Sequence, residues 1–190
     1  MSSTPSARDA AWLAGLHAGD VEIFRVIYET YMEDLWHYAK RFVPSDVAED
    51  IIQDVMSDLW DRRETVEIRG TVAQYLFGAI HYRVLNHRRR ARVIDAVEYQ
   101  DDLGVAVGMG EAPVSPDASV IEHDLKAALT VALAKLSPIQ RSILELRWLQ
   151  EMSYEQIADI LKISPEAARQ HVSRAQRIVR PVLSRFLDDR

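Results

Sequence analysis

A chain of 190 residues has room for one large domain or two small ones, each able to bury a core. It has no cysteine, and it shows neither a bilayer-length apolar run nor the basic start and apolar core of a signal peptide; disulfide frameworks and thiolate metal sites are excluded, and a reducing cytoplasm without membrane insertion is the expected setting. A net charge of −6 argues against a protein living on DNA affinity alone, because phosphate neutralisation supplies most non-specific binding; local basic patches on such a chain point to weak binding completed by a partner.

Glycine and proline are sparse, and no alternating strand pattern is convincing, so the fold class is all-α. The polar start reads as a frayed tail, followed by a short apolar helix from Ala10 to Ala18 that ends near Gly19. Asp20 caps a long helix in which Phe24, Ile27, Tyr28, Tyr31, Leu35, Tyr38, Ala39 and Phe42 recur at core spacing. Pro44 and Ser45 stop it, and Asp46 with Glu49 signals the start of the next. That helix, Asp46 to Trp60, buries Val47, Ile51, Val55 and Leu59 and presents Glu49, Asp50, Gln53, Asp54, Ser57 and Asp58. No histidine or returning carboxylate completes a metal site there, and the acidic face suits a basic docking partner.

Asp61 to Gly70 is charged and reads as a loop. From Thr71 a second long helix carries Val72, Tyr75, Leu76, Ala79, Ile80 and Leu85 inside and ends in the basic run from Asn86 to Arg92. Four arginines, Arg88, Arg89, Arg90 and Arg92, exceed what the helix dipole needs, and mark a nucleic-acid patch. Upstream, Tyr75, Phe77, His81 and Tyr82 are candidates to stack on unpaired bases, with core packing of Tyr75 and Phe77 an equal alternative. Residues 93–118 are acidic and broken by glycine and proline: an extended linker between two domains.

The chain resumes with a helix from Ser119 to Leu136, and Ser137-Pro138 starts another with Ile139, Ile143, Leu144, Leu146 and Trp148 as core candidates. The stretch from Ser153 to Arg177 then follows a helix-turn-helix plan. Ser153 and Gln156 form a capping box ahead of Tyr154, Ile157, Ala158 and Leu161, and Ser164-Pro165 opens the second helix. Wound at about 100° per residue, this helix puts Ala168, Val172, Ala175 and Val179 on one side. Arg169, Gln170, Ser173, Arg174, Arg177 and Arg180 fall on the other. Arginine and glutamine make bidentate contacts to guanine and adenine, so DNA reading outweighs a merely solvated face. Pro181 is expected to kink or end the helix. Neither a glycine-rich phosphate loop, nor a nucleophile with a matched base, nor a ligand set for a metal is present, so an enzyme or a cofactor is not expected.

The segment AEDIIQDVMSDLW, Ala48 to Trp60, resembles region two of RNA polymerase sigma factors of the extracytoplasmic-function (ECF) group. LSPIQRSILELRWLQEMSYEQIADILKIS with AARQHVSRA resembles region four. The resemblance implies a tail and short helix over 1–19, region two over 20–92, a linker over 93–118 and region four over 119–190. It implies a cytoplasmic bacterial protein that binds core RNA polymerase and directs promoter-specific initiation. Asp50, Gln53 and Asp54 match polymerase-contacting positions, with Asp54 where glutamate is commoner. The loop from Asp61 to Thr71 matches the segment that captures a flipped base, and Tyr82, Asn86, His87, Arg89 and Arg90 match the segment along the melted minus-ten strand. Arg169, Gln170, Ser173 and Arg174, with Arg177 on the same face, match readers of the duplex minus-thirty-five element, and Arg147 and Tyr154 match its backbone contacts. The linker would thread toward the polymerase active site, and an anti-sigma factor is an implied partner. Tyr82 departs from the usual asparagine, His171 from a common arginine, and Lys162 from the common turn glycine, which implies a turn without a strict need for positive φ. A self-sufficient helix-turn-helix regulator, dimeric on palindromic half-sites, is the alternative, and an all-α adaptor with merely solvated arginines is a third.

Overall fold

Eight helices and no strands make up the described residues of the structure, a computed structural model that describes residues 7–94 and 120–187. The expected frayed start is corrected at its end: residues 7–9 are already helical in the structure and Asp9 is buried, because its carboxylate finds a backbone N–H to bond, whereas the rest of that start and nearly all of the acidic linker lie outside the described residues. The described residues form two compact units, the first built on 7–94 and the second on 120–158 and 163–187. No helix among the described residues is long and apolar enough to cross a membrane.

The first unit is built from α1 (Ala7–His17), α2 (Val21–Ala39), α3 (Ser45–Asp61) and α4 (Val72–Ile94). Asp20 caps α2 as its position predicts, its carboxylate accepting from the backbone N–H groups of Glu22 and Ile23. α3 differs: it begins at Ser45 after Pro44 and has no side-chain cap, so Asp46 acts from within the first turn, where its charge complements the helix dipole. α2 packs on α1, α3 and α4, and α3 also packs on α4. Its side of the core is the predicted stripe, with Ile27, Tyr31, Leu35, Tyr38 and Ala39 buried, whereas Phe24 and Tyr28 at the edge are half-buried. α3 contributes Ile52, Val55, Met56 and Leu59, and α4 contributes Leu76, Phe77, Ile80 and Val84. Each such side chain contributes roughly 1.5–3 kcal/mol by leaving water.

One polar pair is sealed into this core. The Tyr38 hydroxyl lies 2.9 Å from Nδ1 of His81, and the ring of Tyr38 meets Phe77 edge-on at 5.2 Å. Burial pushes the His81 imidazole down to about 4, so it is neutral near pH 7. Phe77 and His81 are therefore core residues: of the two readings open for Phe77, packing holds, and the expectation that His81 stacks on bases is corrected, because their positions on α4 face α2, which their spacing alone does not reveal.

The second unit contains α5 (Val120–Ala134), α6 (Pro138–Trp148), α7 (Tyr154–Leu161) and α8 (Pro165–Leu187). α8 packs against both α5 and α6. Three serines start three helices. Ser137 and Gln140 form a reciprocal capping box, Ser153 and Gln156 exchange bonds of 3.2 and 2.8 Å, and Ser164 Oγ accepts from the Ala167 N–H at 3.1 Å. Ile143, Leu144 and Leu146 are buried, but Trp148 is 44% exposed at the last residue of α6, where the helix ends and no further turn covers it.

Two other expectations are corrected here. Lys162 sits at φ +55, so the turn between α7 and α8 does keep the left-handed conformation that glycine usually supplies there. A lysine bears it at a cost of about 1–2 kcal/mol, offset slightly by its exposed ion pair with Asp159. Pro181 does not end α8, which continues to Leu187. Pro181 is exposed, as is Arg177 one turn back, so the carbonyl deprived of its partner is on the solvent side rather than in the core.

Candidate protein and nucleic-acid interfaces

Three polar faces arise from these helices. The first is the outer side of α3, where Asp50, Gln53 and Asp54 are all exposed at i, i+3 and i+4 over a buried stripe of Ile51, Ile52 and Val55. Arg83, which the sequence reading passes over, reaches this face from α4. Its Nη1 donates to Asp54 at 2.9 Å and its Nη2 to Asp58, so one guanidinium bridges two carboxylates one turn apart. The spacing of Asp54 and Asp58 was a hint of a shared partner; which residue arrives depends on the packing of α3 on α4.

The second face is the exposed side of α4 toward its C-terminal end. Tyr82 is 63% exposed, His87, Arg89 and Arg90 are exposed, and Asn86 is half-buried. Tyr82, Asn86, Arg89 and Arg90 follow steps of four, three and one and so run along one side of the helix, flanked by His87. Tyr75 is half-buried, and burial raises its hydroxyl above the usual tyrosine value. Of the four aromatic candidates for stacking, Tyr82 is the one presented to solvent.

Leading into α4, residues 62–71 form the loop, in which no side chain is buried. Its first part is a turn closed by Arg62, whose carbonyl accepts from the N–H groups of Thr65 and Val66. Thr71 Oγ1 caps α4 by accepting from the Gln74 N–H at 3.1 Å. Gly70 has φ +119, a backbone conformation that residues with a Cβ rarely adopt, so the entry to α4 favours a glycine.

The third face belongs to α8, and here the sequence pattern is reproduced. Ala168, Val172, Ala175 and Val179 are buried, while Arg169, Gln170, Ser173, Arg174, Arg177 and Arg180 are exposed. Arg169 is already engaged: it donates to Glu166 at 3.2 Å and Glu155 at 3.5 Å and stands 5.4 Å from the centre of the Tyr154 ring. Arg147 approaches the same ring at 5.3 Å and donates to the Met152 carbonyl at 3.0 Å. Tyr154 thus has two guanidinium groups, those of Arg147 and Arg169, against one ring. Beside it lies an open depression of about 650 Å³ lined by Arg147, Trp148, Glu151, Tyr154 and Gln176. His171 is half-buried, and burial with the neighbouring Arg174 lowers its imidazole, so it adds no charge to this face near pH 7.

Residues 27–94 match the family described as Sigma-70 region 2, and residues 132–180 match Sigma-70, region 4. The chain is 30% identical over 179 residues to the RNA polymerase sigma-E factor of Streptomyces coelicolor, covering 90% of this chain and 93% of that protein. It is 21% identical over 165 residues to the ECF RNA polymerase sigma factor SigX of Bacillus subtilis, covering 84% and 82%. Among solved structures, the fold is similar to the sigma factor RpoE in complex with the anti-sigma factor NepR from Bartonella quintana, with a TM-score of 0.58, 22% identity, and 86% and 98% of the two chains covered. It is also similar to CnrH in complex with the cytosolic domain of CnrY, with a TM-score of 0.55, 18% identity, and 93% and 97% covered.

Proposed function

This chain belongs to the extracytoplasmic-function group of the sigma-70 family, and from that membership we propose how its two helical units share the work of choosing a promoter. The chain binds core RNA polymerase and directs promoter-specific initiation. Asp50, Gln53 and Asp54 on α3 dock a basic surface of the polymerase. The loop from Asp61 to Thr71 takes a flipped base of the minus-ten element, and Tyr82, Asn86, His87, Arg89 and Arg90 lie along the melted strand. Such melting needs no chemical step: stacking and base capture offset unpairing, which costs a few kcal/mol per extruded base. In the second unit, Arg169, Gln170, Ser173, Arg174 and Arg177 read the duplex minus-thirty-five element, while Arg147 and Tyr154 grip its backbone.

The observation that carries this reading is the exposed side of α8, where arginine and glutamine side chains line the second helix of a helix-turn-helix while the buried side is small and apolar. A net charge of −6 fits a protein whose hold on DNA is completed by the polymerase. The RpoE neighbour was solved with an anti-sigma factor, and we extend that class of partner to this chain. Transcription in vitro with core polymerase on a promoter library is the test. Start sites appearing only when the chain is added are the expected result. A chain that leaves core polymerase unchanged, yet shifts palindromic duplex DNA by itself, would overturn the proposal.

A further inference from the structure

We propose that α1 is a positioning element for the loop 62–71, and that His17 and Asp9 are the positioning residues through which it fixes the base that the loop accepts. The inference rests on the proposed role of that loop. It begins from a physical difficulty: a loop whose side chains are at most half-buried, with Arg63 stacked on Trp60 at its start, has little packing beyond Val66 to hold one shape, and it relies there on polar anchors. Two of these anchors come from α1, which lies outside the matched span 27–94.

The first is at mid-loop. His17 Nε2 lies 3.1 Å from the Val66 carbonyl; a carbonyl only accepts, so this ring nitrogen carries the proton and donates. The second is at the loop's end. Asp9 is 3% exposed, and its Oδ1 accepts from the Val72 N–H at 2.9 Å, the first helical residue of α4. The two contacts span 49 and 63 residues of sequence, so neither is a local cap.

α1 has the rigidity to act as a fixed post. Trp12 and Leu16 are buried, and Trp12 meets Tyr31 of α2 edge-on at 6.0 Å. His17 and Asp9 are two turns apart on this helix, so their spacing is set by its rise. Between the pins at Val66 and Val72, the chain has only Glu67, Ile68, Arg69, Gly70 and Thr71 left to move, and Glu67 and Arg69 are exposed. A short segment held at both ends has few conformations to lose when it closes on a base, and so its geometry, rather than the ligand, selects what fits.

The test uses the full chain with core polymerase and promoters randomised through the minus-ten element, read beside amide exchange of the free protein. His17 is exposed and its loss leaves the core intact, so His17→Ala is the informative variant. It should blunt discrimination at the base taken by the loop about tenfold, as a loosened reading group does, and speed exchange of residues 67–71. Preference in the minus-thirty-five element and affinity for core polymerase should not change. His17→Gln, whose amide can donate to the same carbonyl, should restore discrimination, and Asp9→Asn, which keeps an accepting oxygen, should stay near wild type where Asp9→Ala does not. Wild-type minus-ten discrimination within twofold in His17→Ala would overturn the positioning role and leave the reading of the loop standing. An absence of minus-ten discrimination in the wild-type protein would instead sink the reading of the loop, and this inference with it.

Discussion

The face of α8 and the faces of the first unit are organised by different means. On α8 the exposed residues are ordered by the helix itself, and the serine that starts it bonds a backbone N–H three residues on. On the first unit the polar groups are set by partners far away in sequence: Arg83 bridges Asp54 and Asp58 from another helix, and His17 and Asp9 hold a loop 49 and 63 residues downstream. A helix that reads the major groove needs only to be straight and to keep its side chains on one side. The surface proposed for taking an extruded base and docking the polymerase joins a helix face, a loop and a second helix, and only tertiary packing brings these into register.

The contrast predicts that disturbing the core of the first unit damages its faces and spares α8. Phe77→Ala removes a fully buried ring that packs on Tyr38, and should cost about 3–5 kcal/mol in the unfolding of that unit. Unfolding followed by amide exchange should show α2, α3 and α4 weakened and α8 unchanged; a wild-type first unit in this variant would mean that Phe77 is not a core residue.

Acid acts on the same core. His81 binds a proton more readily unfolded than folded, because burial has lowered its pKa from an ordinary 6.5 to about 4. The unfolded state therefore holds more protons between these values, and stability falls as pH drops through that window, by roughly 2 kcal/mol at pH 5. The loss should be complete only below pH 4 and absent above about pH 7. Denaturant titrations of the wild-type protein at pH 7 and 5 check the sign: a first unit equally stable at both would remove the buried neutral histidine from the account.

On α8 the expected losses are in recognition, not in folding. Arg174→Ala, at an exposed position, should leave the melting temperature in place and cost about 1–3 kcal/mol of discrimination in the minus-thirty-five element if the guanidinium holds a base by two bonds. Promoter preference identical to wild type would take Arg174 off the list of readers. The smallest effect is expected at Arg83. Its ion pairs with Asp54 and Asp58 are part-exposed, so Arg83→Gln should cost no more than about 1 kcal/mol of stability, and less at high salt. A loss several times larger would mean that the bridge is a structural clamp on α3 and α4 rather than an adjustable part of the acidic face.

How much was legible beforehand follows the same division. Asp20, Ser137, Ser153 and Ser164 announce their helices because a cap bonds an N–H two or three residues on, a distance that residue spacing encodes directly. The burial of Ala168, Val172, Ala175 and Val179 follows from a period of 3.6. Tyr82 and Phe77 could not be told apart in this way. Both are aromatic residues on one helix; one is exposed and the other sealed against Tyr38, according to which side α2 covers. Lys162 misleads for another reason: an unsuitable residue at a left-handed position is tolerated when the helices on either side impose the turn.

The amino-acid order by itself determined the all-helical class, the positions of the caps, the acidic side of α3 and the split faces of α8, because each depends on interactions within a turn or two of helix. The tertiary structure alone decided that Arg83 meets Asp54 and Asp58, that Asp9 and His17 of α1 hold the loop before α4, and that His81 is buried and neutral. Contacts between residues far apart in the chain depend on the angles and offsets at which helices pack, and many side chains must settle together before any one of those pairs can form.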